Sequence, residues 1–85
     1  MTQVIEGSMV HYVLDSGPNT GEHRPALIVK VWSEDCVNLQ VFLDGSNDFP
    51  GSMRMTAWET SVMRDDTGDM LGSWHPSEVA IQAIG

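Results

Sequence analysis

Val37-Asn38-Leu39-Gln40-Val41-Phe42-Leu43 places an apolar residue at every odd position, the period of a strand that buries one face and wets the other. Upstream, Ala26-Leu27-Ile28-Val29-Lys30-Val31-Trp32 is a β-branched apolar run, and Ser33-Glu34-Asp35 between the two runs is short enough for a hairpin turn. Strands over about 25–32 and 36–43 are therefore expected to pair, with Trp32, Leu39, Val41 and Leu43 facing the interior. Asp44-Gly45 ends the second of them.

The same reasoning extends outward. Met9 to Leu14 has strand composition and stops at Asp15-Ser16-Gly17-Pro18-Asn19-Thr20-Gly21, a loop by its Gly, Pro, Asn and Asp content. Residues 46–56 read as a long loop, Ala57 to Met63 as a fourth strand, and Gly72-Ser73-Trp74-His75-Pro76 as a short fifth strand interrupted by a proline that cannot donate to a ladder. Ser77-Glu78 is expected to open a helical turn before the apolar run Val79 to Ile84. The pattern predicts a single all-β domain over residues 1–85, a small, partly open SH3-like barrel of four to five short strands.

Composition narrows the function. Eighty-five residues bury only about 60–65 % of the unfolded surface, so three Trp, six Met and an apolar tail point to a homo-oligomer, a dimer or tetramer. Four basic against twelve acidic residues give a net charge of −8, the wrong sign for long nucleic acid, which is held by clustered Lys and Arg. A lone cysteine, Cys36, allows no internal disulfide, and with no visible signal segment or membrane-spanning run the expected location is the cytoplasm.

Catalytic signatures are missing from the pattern. His11, His23 and His75 have no second His or Cys at ligand spacing, so neither a metal nor any other cofactor is expected. The serines and Cys36 lack a nucleophile elbow, and the chain reads as a non-enzyme. What remains is a set of aromatic and fork-shaped cationic side chains near loop ends, Trp58, Arg24 and Arg54 among them, suited to stacking on bases and to bidentate phosphate contact. The bland reading of Trp32 and Trp58 is core or interface packing, and that of Arg24 is a salt bridge to a nearby acid.

Taken together, Gly-Glu-His-Arg-Pro-Ala, Val-Asn-Leu-Gln-Val-Phe-Leu-Asp-Gly-Ser-Asn-Asp, Trp-Glu-Thr-Ser-Val and Gly-Ser-Trp-His-Pro-Ser-Glu, spread over about residues 9–78, resemble a family of small phage and prophage proteins. Its best functional match is to phage sponges that counter cyclic-oligonucleotide-based antiphage signalling (CBASS). The resemblance implies a non-catalytic oligomer in the host bacterial cytoplasm that sequesters a guanine-containing cyclic dinucleotide between protomers. Arg24, Arg54, Trp58, Asp48 and His23 are the ligand-contact residues it suggests. The Met53-Arg54-Met55 loop departs from the tighter turn expected of the family. A phage structural module or host-protein-binding adaptor is the alternative.

Overall fold

Two neighbouring rows of side chains define the sheet. Val10, Ala26, Val41 and Ala57 lie side by side across four strands and are all buried, while the next row, Met9, Leu27, Gln40 and Trp58, points to the opposite face. This is the period-two alternation of the sequence carried across hydrogen-bonded neighbours. The computed structural model describes residues 4–76, and the expected helical turn at Ser77-Glu78 and the apolar run Val79 to Ile84 lie outside the described residues.

The strands are β1 (Met9–Val13), β2 (His23–Val31), β3 (Cys36–Phe42), β4 (Thr56–Met63) and β5 (Trp74–Pro76). They form one antiparallel sheet in the order β4-β3-β2-β1-β5. The all-β class and the five short strands are those expected. The sheet does not close into a barrel; after β4, a single parallel bridge joins Arg64 to Trp74 of β5, and the Asp65 N–H donates to the Trp74 carbonyl at 2.8 Å. Pro76 pairs with Val10 on the edge strand β5, where the lost donor is tolerated.

The core is one cluster: Val10, Tyr12 and Leu14, then Ala26 and Ile28, Val37, Leu39, Val41 and Leu43, Ala57, Val62 and Trp74. Leu39, Val41 and Leu43 therefore face inward as expected. Trp32 does not. It follows the last residue of β2 after a bulge between Ile28 and Lys30, stands 58 % exposed, and carries the Lys30 ammonium 4.7 Å above its ring. Its indole N–H donates to Asn38 Oδ1 at 3.0 Å, which also accepts from the Ser61 N–H at 2.8 Å, where β4 bulges and Ser61 takes φ +54°. No helix among the described residues is long and apolar enough to cross a membrane.

Candidate functional site

Two polar clusters organise the remaining loops. The first is built on Asp48, the last residue of α1 (Gly45–Asp48), a single turn inside what reads from sequence as loop. Arg24, expected at a loop end just before the strand, is instead a β2 residue paired with Tyr12. Its Nε and Nη2 donate to the two carboxylate oxygens of Asp48 at 2.8 and 2.7 Å. Asn19 Nδ2 and the Asp44 N–H add donors at 2.9 and 2.7 Å. Asp48 is 0 % exposed and the Arg24 side chain 15 %; Nη2 also donates to Glu22, and Nη1 donates to the His23 carbonyl.

Four donors on one carboxylate hold Asp48 well below the usual carboxylate range, with Arg24 the largest cause. Reciprocally, Asp48 holds the Arg24 guanidinium above its ordinary value. The close approach requires glycine at position 17, where φ is +83° and a Cβ would lie 2.5 Å from the Asp48 carbonyl oxygen. Arg24 and Asp48 thus tie the β1–β2 loop, the start of β2 and the α1 turn together, and both side chains are committed to each other.

The second cluster is the one that sequence spacing excluded. The β1–β2 register sets Val13 opposite His23 and His11 opposite Pro25, and the β1–β5 register sets His11 opposite His75. All three histidines consequently fall on the same face of three adjacent strands. His11, His23 and His75 each offer a ring nitrogen, and these atoms lie within 4.8 Å of one another. Ring centroids are 4.8 Å apart for His23–His75, 5.5 Å for His11–His75 and 6.5 Å for His11–His23, and the rings are inclined to one another at 59° or more.

The three are unequally satisfied. His75, 1 % exposed, sets its Nδ1 3.1 Å from the Pro76 carbonyl, a contact that requires Nδ1 to carry the proton and leaves the Nε2 lone pair free to face His23 Nδ1 at 2.8 Å. His23 is exposed and His11 half-buried. The His11 Nδ1 atom is buried with no hydrogen-bond partner among the described residues. Burial first, and the neighbouring imidazoles second, lower the pKa values of His11 and His23 below the ordinary histidine range, so both rings are predominantly neutral at pH 7. Gly68 caps the cluster at φ +74°, where a Cβ would stand 2.9 Å from His23 Cε1 and 3.4 Å from His75 Nε2.

The residues expected to share one ligand site therefore separate. Arg24 and Asp48 form the buried ion pair, and His23 joins the histidine cluster. Arg54 lies exposed with its guanidinium 4.8 Å over the Phe49 ring, and Trp58 stands 52 % exposed on the outer face of edge strand β4. A third polar group, half-buried Glu59, has a raised pKa, chiefly from burial and then from Asp15. Parity within the β1–β2 hairpin was the signal that could have joined His11 to His23; His75 needed the pairing of β5 with β1. Comparison with protein-family models, curated proteins and solved structures finds no match for this chain.

Proposed function

We propose that this chain is a non-catalytic binding protein that self-associates and sequesters a guanine-containing cyclic dinucleotide in the host bacterial cytoplasm. The observation that carries the reading is the outward row Met9, Leu27, Gln40 and Trp58, which ends in a half-exposed indole on an edge strand. A flat ring held by a sheet is a stacking platform for a base. Arg54, exposed over Phe49, supplies a cation for phosphate. A two-fold assembly presents each of these groups twice, which matches a two-fold ligand and offsets the scarcity of cations in one chain. The resemblance to phage sponge proteins names the ligand class.

The same apolar row favours a second reading, an adaptor that docks a host or phage protein, because Met9, Leu27 and Trp58 bring no charge to that face. Isothermal titration with cyclic di-GMP, alongside light scattering, separates the two. The sponge reading expects a mass above 9.4 kDa, saturable binding without turnover, and a loss of about 1–3 kcal/mol on Trp58→Ala. A monomer with no heat of binding for cyclic dinucleotides overturns it.

A further inference from the structure

We infer that His11, His23 and His75 form a binding site for one borderline divalent transition-metal ion, Zn2+ in the first instance, with a fourth coordination position left for a water or a ligand oxygen. The inference is independent of the ligand proposed above. Three imidazoles are a sufficient protein ligand set for tetrahedral zinc. The rings approach edgewise at centroid separations of 4.8 to 6.5 Å rather than stacking.

A tetrahedral ion with Zn–N bonds of about 2.0–2.1 Å sets its ligand nitrogens about 3.3–3.4 Å apart. The His23–His75 pair stands at 2.8 Å and the whole set within 4.8 Å. Coordination therefore asks one pair to open by roughly half an ångström and no other pair to close by more than about 1.5 Å, movements within reach of side-chain rotation.

Two further features point to a ligand. The buried His11 Nδ1 lacks any partner among the described residues, and such orphaned polar atoms are uncommon unless an ion or water completes them. His75 is oriented as metal-bound histidines are, one ring nitrogen against a backbone carbonyl and the other turned to the cluster. The burial gradient, from His75 at 1 % exposure to solvent-facing His23, gives the ion an entry side. A net charge of −8 favours a cation at any surface site, so selectivity is the decisive observation: imidazole suits Zn2+ and Co2+, whereas Mg2+ and Ca2+ prefer oxygen.

Untagged protein, stripped with chelator and titrated with Zn2+, Co2+ and Mg2+, tests the site. The expected results are one Zn2+ per chain, a rise in melting temperature with Zn2+ and none with Mg2+, and the visible absorption bands of tetrahedral Co2+. His23→Ala, which also removes the partner of the buried His75 Nε2, should stay folded with a slightly lowered melting temperature without metal and bind Zn2+ at least tenfold more weakly, as should His11→Asn. Should His11→Asn fail to fold, His23→Ala decides alone. No retention of Zn2+ by the parent, or unchanged affinity and Co2+ spectrum in His23→Ala, overturns the inference.

Discussion

The Arg24–Asp48 pair and the His11–His23–His75 cluster each gather polar side chains that lie far apart in sequence, and they differ in one respect. Every oxygen of the Asp48 carboxylate has its donor. The histidines leave the His11 Nδ1 unpartnered among the described residues and share a single short contact between two rings. A buried polar group that is fully paired is spent on the fold, since removing one partner exposes the whole desolvation cost of the other. A convergent set that is only partly paired retains lone pairs for something else. Structure is therefore assigned to the first cluster and ligand chemistry to the second.

The sharpest way to break that contrast is Asp48→Ala, which strands Arg24, Asn19 and the Asp44 N–H together. A loss of about 3–5 kcal/mol is expected from urea unfolding, enough to unfold a marginal domain of this size. If the variant unfolds at the parent's urea midpoint, the pair is not structural. The pH dependence follows the same pair. Because the folded carboxyl lies below its unfolded value of about 3.9, its stabilisation is present above that pH and drains away as pH falls further. Asp48→Asn should remove that part of the acid slope.

Gly68→Ala presses on the other cluster. A Cβ there meets His23 Cε1 at 2.9 Å in a left-handed backbone conformation, so a loss of about 1–2 kcal/mol is expected in thermal melts together with a weakened response to Zn2+. Retention of both the parent melting temperature and the metal response would show that the Gly68 loop does not sit over the rings. The smallest effect belongs to Glu59. Its carboxyl is raised in the folded state, so the native protein holds that proton more tightly and stability falls as pH rises above about 4.3, the unfolded value. Glu59→Gln should raise the melting temperature at pH 7 by a few degrees at most, and a decrease would contradict the assigned sign.

The strands were legible because alternation is a local signal: Leu39, Val41 and Leu43 sit where their parity puts them. Trp32 was misjudged because strand composition continues past the bulge at Val29, whereas the paired strand ends at Val31. The Arg24–Asp48 lock was half visible, in that a salt bridge was the bland expectation for Arg24. Its partner lies 24 residues on, in a one-turn helix too short to show a period. The histidine cluster was not legible from ligand spacing, since strands supply ligands across registers rather than along the chain. Residues 9 and 27, and 13 and 23, are opposite in the hairpin, which fixes His11 and His23 on one face; nothing local announces that β5 returns to β1.

The most direct test of the division between fold and ligand chemistry is one set of thermal melts, with and without saturating Zn2+, on the parent, Asp48→Asn and His23→Ala. The account predicts that Asp48→Asn melts far lower yet keeps the Zn2+-induced rise, while His23→Ala, which takes away only the His75 Nε2 partner, loses about 1 kcal/mol without metal and loses that rise. A His23→Ala protein that still gains stability from Zn2+, or an Asp48→Asn protein that melts like the parent, would contradict it.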